Sequence, residues 1–360
     1  MKKIISLFAA CALMLGVLSG CADNAKPQED TNQMQRYTAA FYDVFDTVTT
    51  VIAYSDSQES FDAQMEALHQ DLLQYHQLFD IYNEYEGMVN MATVNRTAAQ
   101  GPVKVDQRIL DMLLEAKEQY KVTQGQTNIA MGSVLVLWHD ARDAAVDGIS
   151  TPPEQALLDE ASAFTNIDDL IIDEEAGTVY FADPNLRLDV GSCGKGYACE
   201  MTARAAEERG LTSALISVGG NLRSIGTKPD GRFWTGGVEN PWDPEAMGNT
   251  SQTLAAVNLT NNAAMVTSGD YQRYFTDAEG VRYHHLIDPD TLQPARNCNS
   301  VTVITSDSGL ADCLSTGLFC MTPEDGLALV ESLDNVEAFW CLTDGTTQQS
   351  SGFANHMVQN

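Results

Sequence analysis

Two oxygen-bearing side chains, Asp312 and Thr316, stand four residues apart in the run Ala311-Asp312-Cys313-Leu314-Ser315-Thr316. In a helix that spacing puts both on one face, and converging carboxylate and hydroxyl oxygens are what a hard divalent cation takes as ligands. Upstream, His284 and His285 precede the turn Asp288-Pro289-Asp290. An imidazole can take a proton near neutral pH, and residue type alone does not choose between the two. A third group is Gly191-Ser192-Cys193-Gly194-Lys195-Gly196, glycines leading into a helical pattern with Tyr197, Met201 and Ala205 inward. A glycine loop entering a helix can cradle phosphate with backbone N–H groups, and Lys195 adds a positive charge there.

These groups need elements to hold them. Residues 46–54, rich in β-branched side chains, read as the first strand. Phe61, Met65, Leu68, Leu72, Tyr75 and Phe79 recur at helical steps; His69 and His76 ride on that helix as surface or packing residues. Residues 83–99 are polar with scattered apolar positions and read as a loop containing Asn90 and Asn95. Asp106 is the expected cap of a second helix. Residues 139–165 read as a charged, Pro-broken helical insertion, and 171–181 as a hairpin. Residues 188–190 are expected to be a strand feeding the glycine loop, with further strands at 213–218, 233–238 and 301–304, while 263–268 leads to Gly269-Asp270-Tyr271. Pro323 opens a last helix, and 336–342 with Asp344-Gly345 form a closing hairpin. Strands and helices mix without strict alternation, so the class is α+β, with mixed sheets and packed helices.

Residues 1–20 read as a lipoprotein signal: Lys2 and Lys3, an apolar run, then Leu18-Ser19-Gly20-Cys21. The expectation is a lipid on Cys21, a polar tether over 21–36 and one domain over 37–360, anchored at the extracytoplasmic face of a bacterial cell membrane. The formal net charge of −30 argues against nucleic acid and against electrostatic docking on anionic lipid. In so acidic a chain a phosphate-rich ligand needs a local cation or a metal ion. Beyond Cys11 and Cys21, the cysteines at 193, 199, 298, 313, 320 and 341 form no CxxC pair and read as buried free thiols.

Seven segments in order carry a resemblance to a known family. They are Phe45-Asp46-Thr47; Phe79-Asp80-Ile81-Tyr82 with Asn95 beyond it; 188–197; Ser217-Val218-Gly219-Gly220-Asn221; Thr267-Ser268-Gly269-Asp270-Tyr271; His284-His285-Leu286-Ile287-Asp288-Pro289; and 311–316. From about residue 45 to 353 the chain resembles the ApbE-like FAD:protein FMN transferases. The resemblance implies an ApbE-like α+β fold with its site in a cleft. It also implies cleavage of FAD, release of AMP, and attachment of FMN to a Thr or Ser of an extracytoplasmic redox subunit, of Rnf or Nqr type or carrying an FMN-binding domain.

By that resemblance Asp312, Thr316 and a backbone carbonyl at or beside Ser192 hold Mg²⁺, with Mn²⁺ or Ca²⁺ as substitutes. His285, favoured over His284 by its alignment before Leu286-Ile287-Asp288-Pro289, activates the acceptor hydroxyl. Phe45 and Tyr82 edge the flavin, and Gln126, Thr127, Asn128, Asp189, Lys195 and Ile287 contact FAD. Two departures stand out: Asn128, where the family usually has an acidic residue, and Cys193 in the glycine loop, read as a small packing residue. Rival expectations are a metal-dependent FAD pyrophosphatase and a flavin-binding lipoprotein without chemistry.

Overall fold

The computed structural model describes residues 34–243 and 253–359. The signal segment, Cys21 and positions 22–33 of the tether lie outside the described residues. The described chain opens on a strand absent from the sequence reading. β1 (Gln35–Val44) pairs antiparallel with β2 (Thr47–Ser55) across a turn at Phe45 and Asp46. Gln35 and Arg36, read as tether, pair with Ser55 and Tyr54. Then follows α1 (Gln58–Phe79), capped by Ser57 and buried along Phe61, Met65, Leu68, Leu72 and Phe79. The stretch read as a loop at 83–99 instead holds α2 (Met91–Thr97), because Asn90 caps it and Met91, Ala92 and Val94 are buried. It is too short for its periodicity to show.

β3 (Val103–Lys104) leads to α3 (Gln107–Val122), capped by Asp106 as expected, then α4 (Gly132–Asp143) and α5 (Gln155–Ser162). β4 (Leu170–Asp173) and β5 (Thr178–Phe181) form the expected hairpin, with β3 beside β5. Residues 188–190 are not a strand. The Asn95 amide clamps Leu188 there, donating to its carbonyl at 2.9 Å and accepting from its N–H at 2.8 Å.

α6 (Gly194–Glu208) follows the glycine loop, then β6 (Ala214–Val218), β7 (Asn221–Ile225), β8 (Trp234–Val238), β9 (Ala255–Leu259) and β10 (Ala264–Gly269). The chain ends through β11 (Tyr274–Thr276), β12 (Arg282–His284), β13 (Cys298–Thr305), α7 (Ser308–Cys320), α8 (Pro323–Ser332), β14 (Glu337–Leu342) and β15 (Thr347–Gln349). The main sheet is eight-stranded, in the order β1-β2-β6-β7-β10-β13-β14-β15. Its pairs are antiparallel. Alternate residues of β13 serve opposite faces: Val301 and Val303 pack with Leu314, Leu318 and Trp340, while Ile304 packs with Trp234, Met265 and Phe353.

Two helices carry the glycine loop and the Asp312 pair, and their contact is unusually close. A Cβ on Gly196 of α6 would collide with the Ser308 carbonyl and the Asp312 Cβ of α7. A buried ion network fixes their register. Glu200 of α6 accepts from the Arg223 guanidinium at 2.8 Å, from Arg204 at 2.8 Å and from the Ser308 N–H at 3.0 Å. Burial works to raise the Glu200 carboxyl; Arg223, Ser308 and Arg204 outweigh it and hold it below the usual range. Arg204 also reaches Asp307, the N-cap of α7, at 2.8 Å. The cysteines at 193, 199, 298, 313, 320 and 341 are free and buried.

Candidate active site

A cavity of about 670 Å³ opens beside the α6–α7 contact. It is lined by every site residue named from the sequence within the described part of the chain: Phe45, Tyr82, Gln126, Thr127, Asn128, Asp189, Ser192, Lys195, His285, Ile287, Asp312 and Thr316. Cys21 lies outside the described residues. The volume is in the range of small-molecule and cofactor sites.

The metal-type face comes from α7. Asp307 caps the helix by accepting from the Leu310 N–H at 3.0 Å, and buried Leu314 and Leu318 turn the opposite side inward. Asp312 is 4% exposed. Its Oδ2 accepts the Gly196 N–H at 2.8 Å and lies 3.6 Å from the Lys195 ammonium. Among the described residues Asp312 Oδ1 and the Thr316 hydroxyl have no hydrogen-bond partner, and no group of three His, Cys, Asp or Glu side chains is placed to hold a metal. One carboxylate, one hydroxyl and nearby carbonyls fit a hard cation that keeps waters and ligand phosphates in its shell, rather than zinc. Lys195 also donates to the Gly191 carbonyl at 3.1 Å, which ties the loop around Ser192 to α6. Cys193 turns away from this face, its thiol 3.9 Å from the Met112 sulfur in the core.

The two histidines separate cleanly. His284 is buried, donates from Nε2 to the Ala295 carbonyl at 2.9 Å and accepts the Leu286 N–H at Nδ1. Burial pushes it down to about 4. His285 lines the cavity, and its Nδ1 lies 3.3 Å from the Arg273 carbonyl. A carbonyl only accepts, so Nδ1 carries the proton and Nε2 keeps its lone pair. Desolvation, then the neighbouring His284, Arg273 and Lys195, hold His285 down to about 3, so it stands neutral in the ligand-free protein.

Opposite this corner, Asp80 accepts from the Tyr82 N–H at 2.7 Å and the Asn83 N–H at 3.0 Å, which places the Tyr82 ring at the rim, 58% exposed. The loop 126–128 is tied down by its own side chains. Gln126 donates to Asp290 at 3.0 Å, and the Thr127 hydroxyl donates to the Cys313 carbonyl of α7 at 2.7 Å. Asn128 donates to the Thr165 carbonyl and accepts the Ala130 N–H, both at 2.9 Å. The departure at 128 therefore has a structural task, because an amide can donate to a carbonyl where a carboxylate cannot.

Several lining residues were missed. His139 and Arg142 face the cavity from α4, in step with Met131 and Leu135 at helical spacing, a signal present in the sequence. His139 Nδ1 lies 3.0 Å from the Tyr82 hydroxyl, and Nε2 lies 3.8 Å from Asp189. Arg273 brings a further cation. Asn221 lines the cavity too, its side-chain NH₂ buried and, among the described residues, unpartnered. His69, read as a surface or packing residue, pairs with Asp43 of the unforeseen β1 at 2.9 Å. His76 lines the cavity and accepts the Phe45 N–H.

The chain and its fold are similar to those of known enzymes. A FAD:protein FMN transferase of Klebsiella pneumoniae (strain 342) is 30% identical over 271 residues, 73% of this chain and 80% of that protein. One of Treponema pallidum (strain Nichols) is 30% identical over 283 residues, 74% of each. The crystal structure of the ApbE protein of Thermotoga maritima superposes with a TM-score of 0.78 at 26% identity, covering 90% of this chain and 100% of that one. The flavin transferase ApbE of Vibrio cholerae, at 23% identity and a TM-score of 0.75, shares the fold. The class defined is that of the flavin transferases. The ApbE family model matches residues 45–340, and the chain belongs to the ApbE family.

Proposed function

We propose that this chain moves the FMN half of FAD onto a Thr or Ser hydroxyl of an acceptor protein and releases AMP. The observation that carries the reading is His285. Its tautomer is set by the Arg273 carbonyl, and its free Nε2 shares one cavity with Lys195, Asp312 and Thr316. In the transfer, the acceptor oxygen forms a bond to the FMN phosphorus, the pyrophosphate P–O bond breaks, and AMP leaves with the bonding pair. Nε2 takes the hydroxyl proton. Lys195 offsets phosphate charge in a chain that is otherwise strongly acidic. Asp312 Oδ1, the Thr316 hydroxyl and a carbonyl at Ser192 would hold the cation, Mg²⁺ first and Mn²⁺ or Ca²⁺ as substitutes. Such a cation, when bound, neutralises charge on the pyrophosphate.

The partner in this reading is a redox subunit, of Rnf or Nqr type or bearing an FMN-binding domain. The enzyme meets it at the extracytoplasmic face from a lipid anchor on Cys21; the run Leu18-Ser19-Gly20-Cys21 supports that part. The test is incubation with FAD, Mg²⁺ and a peptide carrying an acceptor Thr. Covalent flavin on the peptide with one AMP per flavin is expected. FMN and AMP beside unmodified peptide would move the reading to a pyrophosphatase, and intact FAD would leave only a binding protein.

A further inference from the structure

We propose that His76 is a positioning residue for the flavin: it holds the Phe45-Asp46 turn at the cavity and thereby sets how tightly FAD binds. The proposal rests on the reading of the cavity as an FAD site. A two-residue hairpin turn with both central residues left-handed is normally filled by Asn-Gly, Asp-Gly or Gly-Gly. Here Phe45 has φ 55° and Asp46 φ 49°. Aspartate tolerates that region, whereas a bulky side chain there is an outlier that its surroundings must hold. The strand leading in is irregular too, since the β1–β2 register shifts between Phe41 and Val44.

The holding contacts come from two sides. Gly219, itself at φ 57°, lies so close to Thr47 that a Cβ there would stand 2.7 Å from the Thr47 hydroxyl, and its N–H donates to the Val48 carbonyl at 3.2 Å. On the other side His76 Nδ1 accepts the Phe45 N–H at 3.1 Å. The two rings meet edge to face, 5.6 Å between centroids at 76°. His76 sits in the last turn of α1, rooted in the core by Leu72 and Phe79, so the acceptor stands on a rigid element. Phe45, Asp46, Thr47 and His76 all line the cavity. Without the acceptor atom, the Phe45 N–H loses its partner and the ring is free to leave the site.

The role belongs to one atom, which makes it testable by shape. An Asn side chain puts its carbonyl oxygen near the place of Nδ1, whereas Gln reaches toward the place of Nε2. His76→Ala and His76→Gln in the full chain are expected to raise the KM for FAD about tenfold, with kcat within about twofold; His76→Asn stays within about threefold of the parent in both. Hydrogen exchange of the Phe45 amide should speed up in the Ala and Gln variants and stay protected in Asn. An unchanged KM in His76→Ala while the parent turns over FAD overturns the proposal, as does an Asn variant as impaired as Ala. A parent that neither binds nor turns over FAD overturns the site reading and the flavin half of this proposal. The exchange data judge the His76–Phe45 contact in either case.

Discussion

Gly196→Ala tests the α6–α7 contact on which the site depends. Helix propensity alone favours the substitution by about 1 kcal/mol. The new methyl, however, would overlap the Ser308 carbonyl and the Asp312 Cβ, backbone and branch atoms that do not swing aside. Overpacking of that kind costs about 1–3 kcal/mol. Parting the helices also stretches the 2.8 Å bond from the Gly196 N–H to the buried Asp312 carboxylate, a charged hydrogen bond of about 1.5–3 kcal/mol. The net expectation is a loss of roughly 2–4 kcal/mol, with FMN transfer reduced at least about tenfold because Asp312 moves with the helix. Gly194 is the control for stability: a Cβ there meets the Phe79 ring at an ordinary 3.5 Å, so Gly194→Ala should stay within about 0.5 kcal/mol. Urea unfolding followed by circular dichroism, beside transfer of flavin to an acceptor peptide, measures both. A Gly196→Ala protein as stable and as active as the parent would show that the close contact does not fix the site.

Asp312→Asn keeps an oxygen for the Gly196 N–H but removes the charge, so unfolding should shift by under about 1 kcal/mol while transfer falls by about a hundredfold or more; EDTA should abolish transfer in the parent alike. Glu200→Ala strips buried Arg223 of its 2.8 Å carboxylate and leaves it Glu207 at 3.5 Å, and denaturation should report a loss of about 3 kcal/mol. For pH, His284 is held at about 4 in the fold against about 6.5 in the unfolded chain. The unfolded state therefore binds more protons between those values. The contribution is complete above about pH 6.5 and is lost as pH falls toward 4, about 3 kcal/mol in all. His284→Gln should flatten that acid slope in urea titrations at stepped pH. Proton NMR of the ligand-free protein should show neither His284 nor His285 titrating near 6.5.

Most of the fold was legible where period and caps agree. The α1 stripe, the Asp106 and Thr322 caps and the β-branched run of β13 all stand where the pattern puts them. What escaped was either too short or stabilised from far away. Helix α2 spans two turns and owes its place to Asn90 and to burial. β1 is an edge strand, exposed or half-buried along its length apart from Val44, and its place rests on pairing with β2 and on packing against α1. The run at 188–190, not a strand, has its partner in Asn95, more than ninety positions away. The candidate site was legible because motif residues name themselves, while His139, Arg142 and Arg273 joined it through folding.

By itself the sequence determined the chemical kinds present: a carboxylate and a hydroxyl on one helix face, a histidine pair, a glycine loop with a lysine, and the order of seven segments that mark the family. Those follow from residue type and short spacing, which the backbone's own periodicity converts into local geometry. The family pattern favoured His285, and tertiary structure supplies the reason: His284 is turned into the core toward Ala295, while His285 lines the cavity with its Nδ1 against the Arg273 carbonyl. Tertiary structure alone decided that one Asp312 oxygen is taken by Gly196 and the other left free, and that His76 reaches Phe45. These are contacts between residues far apart in sequence, set by packing that no local pattern encodes.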